Sequence, residues 1–304
     1  PCSRFGLLQF EQYATGIPVS APVTLVGLEW TMDRVRAWAF DEEGEILSRV
    51  VDDAAPGQPG KGADTAKAFV ATWLGGPIGA PMILCGDTGS GTGRLLQVPT
   101  LLDALSDALV RSDEVYLVPG LKQLSPADLL CGQETLLVGL GQMSGAVCIP
   151  GFHTKHVSLE QGRVLGFSTE MTGEIISLLE SEGSLKLGEA VHQTFEPRVF
   201  RDWVERSLDT EDAASPFAVS AARSIGVLRA EHQAAALSGL MIGADIAAHY
   251  DPGDDVILVA DGPMAEAYGM ALDALGASVE EYSAEEAMQD GLFEIAEAAG
   301  LLEQ

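Results

Sequence analysis

The rhythm of apolar and polar positions changes near residue 23. Residues 1–22 show no clear period and contain prolines, so they read as a polar N-terminal extension. From Val23 the run VTLVGLEW is rich in β-branched side chains, VRAWAF follows it, and the acidic-glycine turn DEEG precedes EILSRVV. Short apolar runs separated by turn residues predict a strand meander. AKAFVATWL then has helical spacing, and APMILCGDTGSGTG is an apolar strand that empties into a glycine-rich loop. LLDALSDALVRSD predicts a helix and EVYLVPGL a further strand.

The second half opens in the same way. AVCIPGF, HTKHVSL and RVLGFSTEM form apolar or alternating runs, and LEQG stands before RVLGF as DEEG stands before EILSR. TGEIISLLES, long helical stretches to about residue 250, the strand DDVILVADG, the helix MAEAYGMALDALG, the strand SVEEYS and a closing helix follow. One meander followed by helices in each half predicts an α/β chain of two ribonuclease-H-like lobes, spanning residues 23–144 and 145–304. An ordinary doubly wound sheet with two chance-alike meanders is the competing pattern. Two such lobes would enclose an interlobe cleft, with a tight turn near the start of each meander aiming backbone N–H groups into it.

Composition narrows the function classes. With 304 residues, 47% of them hydrophobic, the chain can fill two cores. No run approaches the roughly 18 consecutive apolar residues of a membrane span, and the N-terminal segment lacks a basic start followed by a long apolar stretch. Neither membrane insertion nor export is predicted. Cys2, Cys85, Cys131 and Cys148 are scattered without a CxxC pair, which fits reduced thiols in a cytoplasm and signals neither disulfides nor zinc. Among the five histidines only His153 and His156 are close together, and no carboxylate sits near them in metal-ligand spacing. A net charge of −28 repels nucleic acids and anionic membranes, and acidic stretches such as VEEYSAEEAMQD read as solvated helix faces. An anionic ligand would therefore depend on the few cations near apolar strands, foremost Arg36, Lys122 and Lys155.

Two turns carry candidate chemistry. The first, Glu29-Trp30-Thr31-Met32-Asp33-Arg34, places a carboxylate at a strand end, where it could hold Mg²⁺ through water; it has no glycine and can equally be a plain hairpin turn. The second, Pro150-Gly151-Phe152-His153-Thr154-Lys155, combines a glycine that permits close backbone approach with hydrogen-bond donors and a point charge, which suits an anion. Alternating His and Lys also occur on the wet face of an ordinary sheet. GDTGSGTGR, residues 86–94, has neither a closing GK[ST] nor GxGxxG spacing, and reads better as a mobile loop than as a phosphate cradle. Gln133 and Glu134 fall at a helix start, where Glu134 is either a helix-stabilising acid or a general base. Thr172 is placed to cap the helix that continues through Gly173 and Glu174.

PGLKQLSPADLLCGQET, CIPGFHTKHVSLEQGRVLGFSTEMTGE and LSGLMIGADIA stand in the order and spacing of a known family. From about Val23 to the C-terminus the chain resembles the 2-keto-3-deoxygalactonate kinases, or 2-dehydro-3-deoxygalactonokinases, of the acetate and sugar kinase, Hsp70 and actin superfamily. The resemblance implies two actin-like ATPase lobes, Mg²⁺ and ATP as cofactors, and phosphorylation of a keto-deoxy sugar acid in galactonate breakdown; it also allows a homodimer. It implies that Glu29 and Thr31 form the first phosphate turn, with Glu29 near Mg²⁺, and that Gly151, His153 and Lys155 form the second. Gly262 falls on the adenosine segment. Arg36, Gly132, Thr172, Gly173 and Glu174 fall on substrate motifs, and Glu134 is the implied general base.

Several motifs depart from the family pattern. Glu29-Trp30-Thr31-Met32 replaces Asp-Trp-Gly-Thr/Ser, Cys131-Gly132-Gln133-Glu134 replaces Arg-Gly-Glu-Glu, Phe152 replaces a threonine, and Asp261 stands where glycine is usual. In the glycine-rich loop, Asp87 and Arg94 stand in place of apolar and aromatic side chains. These departures open a second expectation, a kinase-like protein that binds a sugar acid or another anion without transferring phosphate.

Overall fold

The computed structural model describes residues 22–31, 34–52, 62–86, 94–182, 185–186, 194–208 and 215–303. The N-terminal extension up to residue 21, Met32, Asp33 and residues 87–93 of the glycine-rich loop lie outside the described residues. Backbone contacts divide the chain into two units.

The first unit holds the described residues up to Ser144, together with Ser158–Phe167 and the C-terminal segment from Ala284. Its meander is β1 (Leu25–Trp30), β2 (Val35–Phe40) and β3 (Ile46–Asp52). Helix α1 (Gly62–Leu74) leads to β4 (Met82–Gly86), then β5 (Leu95–Gln97) and β6 (Thr100–Leu101). After α2 (Ala104–Asp107) come β7 (Val110–Ser112), β8 (Val115–Leu117), β9 (Gly120–Leu124), β10 (Ala127–Leu130) and α3 (Gln133–Gly139). The main sheet has the order β3-β2-β1-β4-β8-β7, and a small sheet has the order β10-β9-β5.

Strands β1 and β2 are buried along their whole length, as their near-continuous apolar text requires. Val26, Leu28 and Trp30 of β1 share a core cluster with Ala66 and Val70 of α1. The sulfur of Cys85, on β4, lies 3.6 Å from that of Met288 on the C-terminal helix, which also packs against α3. Burial of each such aliphatic side chain contributes about 1.5–3 kcal/mol. The helix expected over LLDALSDALVRSD is only the single turn α2. Val110–Ser112 leaves helical conformation to pair antiparallel with β8, Val110 opposite Leu117, so sheet pairing overrides local helical propensity there.

The second unit comprises Gly145–Val157 and Ser168–Ser283. Its elements begin with β11 (Gly145–Ile149), the first half of β12 (Thr154–Glu160), the end of β13 (Arg163–Glu170) and α4 (Thr172–Ser181), the stretch Ser158–Phe167 of the β12–β13 hairpin being counted with the first unit. Helices α5 (Pro197–Leu208), α6 (Pro216–Ser224) and α7 (Gln233–His249) follow. The unit closes with β14 (Asp255–Val259), α8 (Gly262–Leu275) and β15 (Ser278–Tyr282), after which α9 (Ala284–Ala298) returns to the first unit. The sheet order β13-β12-β11-β14-β15 matches β3-β2-β1-β4-β8, with parallel pairing of β11 to β14 as of β1 to β4. The repeated ribonuclease-H-like core predicted from the twin meanders is therefore present. Among the described residues, no helix is long and apolar enough to cross a membrane.

Candidate functional site

The first turn is closed on itself. Thr31 Oγ1 donates to the Arg34 carbonyl at 3.0 Å and accepts the Arg34 N–H at 3.2 Å, so this hydroxyl shapes the hairpin. Glu29 and Arg36 are opposite each other in the β1–β2 register, and Arg36 Nε donates to Glu29 Oε2 at 2.5 Å. Both side chains are buried, and the guanidinium also lies 5.3 Å from the Trp38 ring centroid. Burial pushes the Glu29 carboxyl upward, but the charge and hydrogen bond of Arg36, aided by the charge of Arg34, hold it below the usual carboxylate range. The group is thus an ionised oxygen donor, the type of ligand Mg²⁺ prefers.

A second cluster in the first unit is made by backbone proximity. Gly86, at the end of β4, has φ +102°, and a side chain there would collide with the Trp30 carbonyl. Gly132 has φ +104°, and a Cβ on it would come within 3.1 Å of the Gly86 Cα. Glycine at both positions lets the first turn, the β4 end and the α3 start meet. Glu134 is buried, and its Oε1 and Oε2 accept the Gly132 N–H at 2.8 and 2.7 Å. That bond shapes the start of α3; service as a base requires one oxygen to exchange it for a substrate hydroxyl. Beside it, Gln133 Oε1 is buried without a hydrogen-bond partner among the described residues.

In the second unit, the Gly151–Lys155 turn and the start of α4 come together. The Glu174 N–H donates to the Phe152 carbonyl at 3.0 Å, and His153 Nε2 meets Glu174 Oε2 at 2.7 Å. Gly173 permits this approach, since a Cβ there would stand 2.6 Å from the Gly151 carbonyl oxygen. Lys155 is buried and donates from Nζ to Thr169 Oγ1 at 2.7 Å. A helix start and a buried ammonium on adjoining segments form an arrangement that can hold an anion.

Thr172 differs from the expectation of a cap. Met171 is the capping residue of α4, and Thr172 lies within the helix, where its hydroxyl donates to Asp245 Oδ2 at 2.7 Å. Gly262 begins α8, with φ +55° and open space where a Cβ would stand. Asp261 is the residue before it and makes no side-chain cap hydrogen bond. Sequence reading did not single out Asp245, a buried acid in the otherwise uncharged text LSGLMIGADIA. Charge interrupting an otherwise apolar helix was the available signal.

The model of the family described as 2-keto-3-deoxy-galactonokinase matches residues 29–295. A probable 2-dehydro-3-deoxygalactonokinase of Rhizobium meliloti (strain 1021) is 31% identical over 300 residues, covering 89% of this chain and 96% of the relative. The 2-dehydro-3-deoxygalactonokinase of Escherichia coli (strain K12) is 28% identical over 288 residues, covering 90% and 97%. Among solved structures, a protein from Sinorhizobium meliloti assigned as a 2-dehydro-3-deoxygalactonokinase superposes with a TM-score of 0.79 at 28% identity, covering 90% of this chain and 98% of that one. The activator of the 2-hydroxyisocaproyl-CoA dehydratase from Clostridium difficile, with a TM-score of 0.51 at 10% identity and coverage of 91% and 96%, shares the fold alone. With a family match across nearly the whole described chain and a relative 31% identical over 89% of it, the chain belongs to the 2-keto-3-deoxy-galactonokinase family.

Proposed function

We propose that this chain phosphorylates 2-keto-3-deoxygalactonate with Mg-ATP, as a cytoplasmic enzyme of sugar-acid breakdown. The observation that carries the reading is the joining of the Gly151–Lys155 turn to the start of α4, because it brings a helix start, whose first N–H groups have no intrahelical partner, to the segment that carries a buried cation, and a phosphoryl donor needs both. In this reading Gly151 gives the backbone close approach to phosphate, His153 donates a hydrogen bond from Nδ1 as the imidazolium paired through Nε2 with Glu174, and Lys155 supplies a fixed positive charge. Glu174 orients His153. Glu29 would hold Mg²⁺, which when bound neutralises charge on the phosphate oxygens. Gly262, open at the start of α8, admits the adenosine portion without steric hindrance. Arg36, Gly132, Thr172 and Gly173 shape the surroundings of the acceptor, and Glu134 takes the acceptor hydroxyl proton after releasing the Gly132 N–H.

ADP release measured with and without the sugar acid tests this. Sugar-dependent release is the expected result; a folded protein that binds both ligands and releases no ADP overturns it. A second reading has its own support in the first turn, which lacks the family glycine and whose acid is already neutralised by Arg36. There the chain binds the sugar acid or another anion without transfer, and calorimetry showing acid binding without Mg-ATP binding would distinguish it.

A further inference from the structure

Asp245 sits in the C-terminal half of α7, 5% exposed, and its carboxylate is filled by donors from other elements. His156 Nε2, on β12, meets Oδ1 at 2.7 Å. Thr172 Oγ1 donates to Oδ2 at 2.7 Å, and the Tyr268 hydroxyl, on α8, donates to the same oxygen at 3.0 Å. An ionised carboxylate only accepts, so His156 Nε2 carries the proton. By the same logic the Tyr268 hydroxyl keeps its proton and points it at Asp245, which leaves the Tyr268 oxygen to accept from the Thr154 hydroxyl at 2.6 Å. The His156 Nδ1 is closed off by the Tyr250 hydroxyl at 2.8 Å. Burial pushes the Asp245 carboxyl up, but the hydrogen bond and charge of His156 and the hydrogen bonds of Thr172 and Tyr268 hold it below its usual range.

These donors are neighbours of the candidate site. Thr154 and His156 flank Lys155, Thr172 precedes Gly173 and Glu174, and Tyr268 lies on the helix that Gly262 opens. We infer that Asp245 is a positioning residue, which fixes β12, the start of α4 and α8 in one register so that the anion-holding groups face their ligand together. The inference rests on the kinase reading for what that ligand is.

A competing use of the cluster is a metal site, since His156, Asp245 and His249 offer ligand atoms within 4.8 Å of one another. The geometry points away from it. His156 and Asp245 are in direct hydrogen-bond contact, and the His156 and His249 rings stack face to face with centroids 3.8 Å apart and planes 11° apart. Two imidazoles on one ion instead converge through their in-plane lone pairs. His249 meanwhile meets Glu170 at 3.1 Å through Nε2.

The test compares Asp245→Ala, Asp245→Asn and Thr172→Val for Mg-ATP KM, kcat and amide hydrogen exchange. Asparagine can still accept from Thr172 and Tyr268, and can donate to His156 once that ring changes tautomer. Asp245→Ala should raise KM for Mg-ATP at least tenfold and speed exchange selectively in the first turn of α4. Asp245→Asn should stay within about threefold of the parent, with Thr172→Val between the two. A purely structural role lowers the active fraction and speeds exchange everywhere while leaving KM unchanged, and that result overturns the inference, as does stoichiometric zinc in the purified protein. Should Asp245→Ala not fold, Thr172→Val carries the same readouts. If the parent chain shows no sugar-dependent ADP release, the kinase reading falls by itself. Titration with inorganic phosphate then decides the positioning role: affinity reduced by Asp245→Ala sustains it, and unchanged affinity overturns it.

Discussion

The turns that open the two meanders start from the same strand order and end in different chemistry. In the first, Thr31 closes the hairpin and Glu29 is neutralised by Arg36 across β1 and β2, so its polar groups are largely spent on one another. In the second, Gly151 leaves the backbone approachable, and the turn is tied through Phe152 and His153 to the start of α4. A repeated scaffold fixes where a turn sits but leaves its chemistry to a handful of side chains. The difference predicts that damage to the first turn appears chiefly as lost stability, and damage to the second chiefly as lost binding.

The largest effect is expected from Arg36→Met. It leaves Glu29 buried with its main compensating charge gone, a change that typically costs about 3–5 kcal/mol. Denaturant unfolding should show this loss, and adding Glu29→Gln should restore most of it. Recovery would establish that the pair is a matched unit. An undiminished penalty in the double variant would mean that Arg36 stabilises the fold through its other contacts, including Trp38.

Lys155→Met should act in the opposite sense. Removing a charge-assisted contact should weaken Mg-ATP binding by about 1.5–3 kcal/mol, on the order of tenfold to a hundredfold in Kd, with a smaller change in unfolding. Calorimetry on the folded variant checks it. Unchanged affinity would remove Lys155 from the site and leave its bond to Thr169 as its role.

Much of this contrast was legible before the structure. The β-branched runs VTLVGLEW and VRAWAF, with DEEG between strands, specify the first meander because apolar text this dense has to be buried on both faces. The second meander is legible through the same spacing. The helix expected over residues 101–113 shrinks to one turn because Val110–Ser112 finds a strand partner in β8, an interaction that no local window contains. The return of α9 to β1 and α3 is likewise set by packing between segments far apart in the chain. At the site, the residue types of the second turn suggest an anion from sequence alone, whereas the Arg36 bond to Glu29 depends on cross-strand register, and the Asp245 network on which helix face turns inward.

A smaller effect is expected from Thr31→Gly, which gives the first turn the residue usual in the family. The loss of the Oγ1 hydrogen bonds with Arg34 should cost about 1 kcal/mol in stability. If the missing glycine is what keeps that turn from phosphate, Mg-ATP affinity should rise severalfold in the same variant. Unchanged affinity would show that the turn stays away from the nucleotide whatever its flexibility, and the contrast between the two turns would be complete.

The smallest expected effect concerns an acid with a partner against one without. Glu29 is held below its usual range, so its contribution is present above its ordinary value of 4.5 and fades as pH falls through the lowered one. Glu180, on α4, is raised by burial alone to about 7. Its folded form keeps a proton that the unfolded chain releases above 4.5, so stability declines as pH rises from 4.5 to about 7 and stays reduced beyond. Glu180→Gln should therefore leave Tm unchanged at pH 4.5 and raise it by ~2 °C at pH 8. An equal gain at both pH values would mean that the amide packs better than the acid irrespective of charge. No gain at pH 8 would mean that water reaches the carboxylate, so that burial alone does not distinguish this end of α4 from the partnered acids.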